Sequence, residues 1–219
     1  SRATGGADQI SAGTLKNEES RNIELGIAYQ QEDLMSAGDQ LSFKTVVFRN
    51  DLDNLIARNG AGAPGDPILI NIDEARIQGV EVEAAYESET WFGSLAYTAL
   101  DGENESDPAA INPNLENRIP ADTIVLSLGT RIPTANLEFG WTGTHYDSKS
   151  RSERNPRTRE VVEFDAPSTL IHDVYAEWTP DEGAFEDLTV RLGVSNLADE
   201  DYRTHLQNPV VRRAGRSIY

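Results

Sequence analysis

Leu188-Thr189-Val190-Arg191-Leu192-Gly193-Val194-Ser195-Asn196-Leu197-Ala198-Asp199-Glu200-Asp201-Tyr202 carries the clearest architectural signal in the chain. Its first eight residues alternate. Leu188, Val190, Leu192 and Val194 share one face of an extended strand, and Thr189, Arg191, Gly193 and Ser195 share the other. One face is wholly apolar and the other is small, polar or cationic. A soluble sandwich has little use for that pairing, but a barrel wall with hydrocarbon outside and water inside selects it on every strand. A polar segment follows to Arg203, then a loop with Pro209 and Arg212-Arg213, then Gly215-Arg216-Ser217-Ile218-Tyr219, which reads as the start of another strand.

The same alternation recurs along the chain. Ile23, Leu25, Ile27 and Tyr29 alternate with Asn22, Glu24, Gly26 and Ala28, and Val80, Val82, Ala84 and Tyr86 alternate with Gly79, Glu81, Glu83 and Ala85. Further strands are expected at 39–49, 68–72, 75–86, 91–100, 121–131, 136–146 and 168–178, nine or ten in all. Short turns (31–38, 88–90, 132–135, 179–187) alternate with long loops (1–20, 50–68, 101–118, 147–167, 197–216). Greek-key sandwiches have no reason to keep their long loops on one side, whereas an up-and-down outer-membrane barrel does. Strands of about ten residues suffice to cross a bilayer at a tilt. Tyr29, Trp91, Trp178 and Tyr146, near strand ends, are candidates for interfacial girdles.

Composition excludes more than it assigns. No apolar run approaches a membrane helix, but barrel strands are only half apolar and escape that test. The formal net charge of −18 argues against a nucleic-acid partner. Zero cysteines exclude disulfides, zinc–thiolate sites and cysteine catalysis. The chain opens at Ser1 without a signal peptide, so an exported protein is expected to be represented by a fragment or processed product. Acidic pairs are too common to single out a glycosidase pair, and no nucleophile elbow or phosphate loop is present. No catalytic residue is expected.

Three stretches carry a family resemblance. Val194-Ser195-Asn196-Leu197-Ala198-Asp199-Glu200-Asp201-Tyr202, followed by Gly215-Arg216, resembles the closing hairpin of TonB-dependent outer-membrane receptors. Leu15-Lys16-Asn17-Glu18-Glu19-Ser20-Arg21-Asn22-Ile23-Glu24-Leu25-Gly26 resembles the lead-in to one of their late strands, with Asn17 in place of the usual proline. Asn71 to Glu83, with Ala75, Ile77, Gly79, Glu81 and Glu83 in step, is similar to a third motif of the family. The resemblance implies an all-β, antiparallel transmembrane barrel segment. Residues 1–219 would be its C-terminal portion, with nine or ten of 22 strands, lacking the plug domain and the final strand's end.

The resemblance also implies function. Tyr202-Arg203-Thr204-His205-Leu206 and the run Ile171 to Pro180 are similar to the haem or haemoglobin branch, with ferric-siderophore receptors as the alternative. An acidic, soluble all-β binding module is the alternative of another class. A receptor for iron-bearing cargo would present histidine or tyrosine as iron ligands on its outer side. His145, His172 and His205 all fall at the long-loop end, and with Tyr202 they are the candidate ligand-binding residues. No intrinsic cofactor or metal is expected; haem or a ferric chelate would be cargo. The implied partners are the plug and remaining strands of the same receptor, the TonB complex acting through that plug, a haem protein or siderophore, and the lipid bilayer.

Overall fold

The computed structural model describes residues 15–58, 69–104, 119–154, 160–186, 188–207 and 213–219. Within them run β1 (Glu19–Glu32), β2 (Gln40–Arg58), β3 (Leu69–Glu87), β4 (Trp91–Asn104), β5 (Thr123–Ile132) and β6 (Leu137–Tyr146). They are followed by β7 (Lys149–Arg154), β8 (Val161–Ala166), β9 (Thr169–Trp178), β10 (Val190–Ser195) and β11 (Ser217–Ile218). Nine strands form one sheet in the order β1-β2-β3-β4-β5-β6-β9-β10-β11, and β7 and β8 form a separate hairpin. Every pairing is antiparallel and joins strands that follow one another along the sheet, so the fold is an up-and-down meander. No helix of the described residues is long and apolar enough to cross a membrane.

Residues opposite each other in an antiparallel pair put their side chains on the same face. Followed through the registers, one row reads Tyr29–Phe43–Ala84–Leu95–Leu126–Gly143–His172. The adjacent row, one residue along each strand, reads Gln30–Ser42–Ala85–Ser94–Ser127–Thr142–Asp173. Seven strands thus keep the same apolar/polar division in phase, which fixes the register because a one-residue slip would turn every side chain over. The apolar face is bare. Ile23, Leu25 and Ile27 are 64%, 70% and 63% exposed, and Leu192 is 59% exposed. A soluble sandwich would bury these residues against a second sheet, so that alternative is set aside. Tyr29, Trp91 and Trp178 lie on this face at the short-turn end. Tyr146 is on the opposite, polar face, because it keeps step with Thr142 and Thr144.

Three sequence expectations are corrected. Residues 50–58 continue β2 instead of opening the loop, and 68–72 and 75–86 are one unbroken strand, β3. Asp51, Asp53 and Glu74 put charges on the face that is apolar farther along these strands, so the alternation is lost here. Ion pairs there hold the ladder together: Asp51 takes Arg49 and Arg76, each at 3.0 Å. At 19 residues each, β2 and β3 reach roughly 60 Å, far more than a bilayer crossing needs. The expected loop 147–167 contains the β7–β8 hairpin: β7 is polar on both faces, whereas in β8 Val162, Phe164 and Ala166 alternate with Glu163 and Asp165 over too few residues to stand out from the charged sequence around them. The Gly60–Pro67 loop lies outside the described residues.

Polar side chains fasten both ends. The Asn71 side chain accepts from the Lys16 amide (2.8 Å) and donates to the Lys16 carbonyl (3.1 Å) and the Asn54 carbonyl (2.6 Å). Glu18 accepts from the Ile56 amide at 2.7 Å. Two of the motif stretches are therefore each other's partners. At the short-turn end Asp39, 1% exposed, accepts from the amides of Leu34, Met35 and Ser36 and from the Tyr86 hydroxyl. Burial alone would raise the Asp39 carboxyl, but these donors outweigh it and hold it at about 2.

Candidate ligand-binding site at the long-loop end

The long-loop end is built from the exit of β10. Asn196 adopts a left-handed conformation (φ 53°), which asparagine tolerates better than most residues. Its side chain accepts from the Glu200 amide (2.8 Å) and donates to the Glu200 carbonyl (2.9 Å), closing a tight clip. Asp173 accepts from the Asn196 amide at 2.7 Å, and the Leu197 amide donates to the His172 carbonyl at 2.7 Å. Asp199, also left-handed, accepts from the Arg216 amide at 2.8 Å. A Cβ on residue 215 would lie 2.8 Å from that same Asp199 oxygen, so a larger residue there would have to displace the carboxylate that accepts from Arg216. The asparagine, the aspartate and the Gly-Arg pair form a single latch.

The latch carries Tyr202 back over the sheet, where its ring stacks on Tyr146 with centroids 6.2 Å apart and planes 18° from parallel. Burial, with the Tyr146 phenol alongside, pushes the Tyr202 hydroxyl above the usual tyrosine range. The Arg213 amide donates to the Tyr202 carbonyl at 3.2 Å. The β7–β8 hairpin joins the cluster. Arg151 donates to the Gln207 carbonyl (3.1 Å) and lies over Phe164, while Arg203 donates to the Asp165 carbonyl (2.9 Å). His205, in the same loop, is buried at 5% exposure. The segments 147–167 and 197–216 hold nine of the chain's 19 lysines and arginines but only eight of its 37 acidic residues. The rest of the chain is strongly acidic, so these two segments are its least repulsive stretches for an anion.

The four sequence candidates therefore separate. Tyr202 and His205 belong to the loop cluster. His145 and His172 lie at the same end but on outward rows, beside Ile124 and Leu170 and beside Gly143. The His172 ring sits 5.7 Å from Trp141, and its Nδ1 is buried without a hydrogen-bond partner among the described residues. No group of three or more histidine or acidic side chains among the described residues could hold a metal ion. Tyr146 and Arg213 were missed by sequence reading. Extending the alternation of Glu138, Gly140, Thr142 and Thr144 by one step would have found Tyr146; no pattern marks Arg213.

Towards the short turns the polar face carries a second arrangement. Arg131 bonds Glu138 (2.9 Å) and Glu87 (3.0 Å), Glu138 accepts from the Tyr175 hydroxyl (2.7 Å), and Arg191 reaches Glu177 (3.4 Å). Phe92, Tyr175 and Tyr219 each lie on a cross-strand glycine, Gly129, Gly140 and Gly193, so closely that a Cβ there would overlap the ring. Arg131 covers Phe92 at 4.6 Å and Arg191 covers Tyr175 at 3.9 Å. Glu81, Glu83 and Arg191 face the same side, as expected of lumen charges.

A phase-locked antiparallel sheet, greasy on one face and charged on the other, with short turns at one end and long loops at the other, defines a segment of an outer-membrane β-barrel. Residues 1–197 match the family described as TonB dependent receptor-like, beta-barrel, and the chain belongs to that family. It is 26% identical over 226 residues to the TonB-dependent heme receptor A of Haemophilus ducreyi, covering 93% of this chain and 30% of that protein. It is 25% identical over 194 residues to the hemin receptor of Yersinia pestis, covering 87% of this chain and 26% of the relative. The FrpB iron transporter from Neisseria meningitidis superimposes with a TM-score of 0.74 at 18% identity, over 94% of this chain and 31% of that one. The chain thus spans about 30% of the length of such a relative.

Proposed function

We propose that this chain is the C-terminal portion of the barrel of a TonB-dependent receptor that takes up haem or haem-protein iron. It would supply wall strands, lumen charges and cargo-contacting loops, with no catalytic role. The observation that carries this reading is the sequence similarity to receptors named for haem and hemin over most of the chain. Structural similarity to other iron transporters speaks to the fold alone, so the ferric-siderophore alternative has no support of its own. Cargo would be bound among the long loops, where Tyr202 and His205 lie, and released inward when the plug, supplied by the rest of the receptor, is rearranged by the TonB complex. Haem would be cargo rather than a resident cofactor.

The test is nutritional. A strain carrying the full parent gene as its only iron-uptake receptor should grow on hemin as sole iron source and lose that growth when the gene is deleted. Growth on ferric siderophore but not on hemin would move the assignment to the siderophore class.

A further inference from the structure

We propose that a groove on the outward face, between Trp91 and Trp141, seats an acyl chain of a zwitterionic phospholipid of the periplasmic leaflet, with the acidic short turns receiving its ammonium group. The proposal rests on the barrel fold and its apolar face, and is independent of the cargo. The groove runs from Trp91 through Gly93 to Leu95 of β4, about 13 Å along the strand, and holds about 780 Å³. Gly93 contributes no side chain to the middle of it, and Trp91, Leu128, Phe139 and Trp141 line the space around that residue. Two hydroxyls on its lining are turned back into the protein. Thr130 donates to the Thr90 carbonyl at 3.0 Å and Tyr86 to Asp39 at 2.9 Å. The lining is otherwise almost wholly apolar, so hydrocarbon fills it without leaving a polar group unpaired.

Position and charge name the lipid. The groove begins at the short-turn end, which faces the periplasm in an outer-membrane barrel, and the leaflet on that side is phospholipid. A tail entering it passes from hydrocarbon to hydrocarbon, so the groove adds close packing and little hydrophobic drive. Selection then falls to the headgroup. The turns 31–38, 88–90, 132–135 and 179–187 hold seven acidic residues and no lysine or arginine. Glu89, exposed, lies two residues before Trp91, where the groove begins. The guanidinium next to the 132–135 turn, that of Arg131, is on the inner face and paired with Glu138 and Glu87. An ammonium group is matched by this rim, whereas a headgroup with only a phosphate charge is repelled.

The full-length receptor in detergent is titrated with phosphatidylethanolamine and with phosphatidylglycerol of the same chains, and bound lipid is counted by native mass spectrometry. A single phosphatidylethanolamine should stay bound, and phosphatidylglycerol should bind about tenfold more weakly. Gly93→Leu fills the groove from its floor and Ala84→Phe from its side, and each should remove the bound lipid. Heat-modifiable migration reports whether each barrel is intact, so either variant decides if the other does not fold. Ile27→Phe, on the same face but outside the groove, should leave binding unchanged. Glu89→Lys should bring the two phospholipids within about threefold of each other. Equal binding of both phospholipids by the wild type, or lipid retained by the folded groove variants, overturns the proposal. A receptor dimer without lipid, lost in Gly93→Leu, would give the groove to a second copy and overturn it as well.

Discussion

At the scale of single residues, Asp39 shows how far one carboxylate can organise a turn. Three backbone amides and a phenol converge on it at the short-turn end. Its carboxyl titrates at about 2 in the folded chain against an ordinary 3.8, so its stabilising contribution is complete above 3.8 and lost as pH falls towards 2. Pepsin cleavage within 33–39 should therefore be slow near pH 4 and accelerate towards pH 2, and Asp39→Asn should be cut readily across that range. An unchanged cleavage profile in the variant would mean that the turn is held by other contacts. Asn196 sets a comparable expectation at the other end. Asn196→Ala removes both bonds of the clip and leaves alanine in a left-handed turn, a loss of about 2 kcal/mol. It should free Tyr202 from Tyr146, read as faster proteolysis of the 197–216 loop in an otherwise intact barrel. Asn196, Asp199 and Gly215 were legible in the sequence, the first two through the side chains the latch uses and the third through the space a side chain would take from Asp199. Tyr146 was placed by its nearness to a strand end, when the parity of its strand decides its face.

At the scale of elements, strand identity was readable wherever one face met hydrocarbon, and unreadable where both met water. Leu25, Val47, Val80 and Leu126 announce themselves through alternation, since only apolar side chains are tolerated on that face. The outer thirds of β2 and β3 and the whole of β7 carry no such constraint, and the alternation in β8 covers only six residues. Their order comes from ladder hydrogen bonds and ion pairs such as Asp51 with Arg49 and Arg76, which leave no period in the sequence. Asn71 is the element-scale control point, because its amide binds the lead-in of β1 to β3 and reaches β2 at Asn54. Asn71→Ala, combined with Glu18→Ala, should release residues 15–18 without unfolding the sheet. Hydrogen–deuterium exchange is expected to rise in 15–18 and around Ile56 while β5 and β6 remain protected. Protection unchanged in all these segments would assign the anchoring to contacts outside the described residues.

At the scale of the molecule, the decisive property is the phase relation among strands, and it can be tested with two adjacent residues. Leu128 faces outward beside Trp141 and Gly93, whereas Ser127 faces inward, 3.0 Å from the Thr142 hydroxyl. Leu128→Arg in the full receptor should cost about 2–4 kcal/mol if that row lies in the bilayer, seen as a lower heat-modification midpoint or loss from the outer membrane. Ser127→Arg should be tolerated. Equal damage from both would contradict the division of faces. The flat seating of Phe92, Tyr175 and Tyr219 on glycines has its consequence at this scale as well. A ring laid flush against the backbone makes a panel rather than a knob, so this part of the polar face lies low, and its relief comes from the arginines above the rings. In a closed barrel such a face would be a smooth lining with few projections to catch on. Widening a glycine there would act like a burr in a pipe: the wall would still stand, but passage would slow.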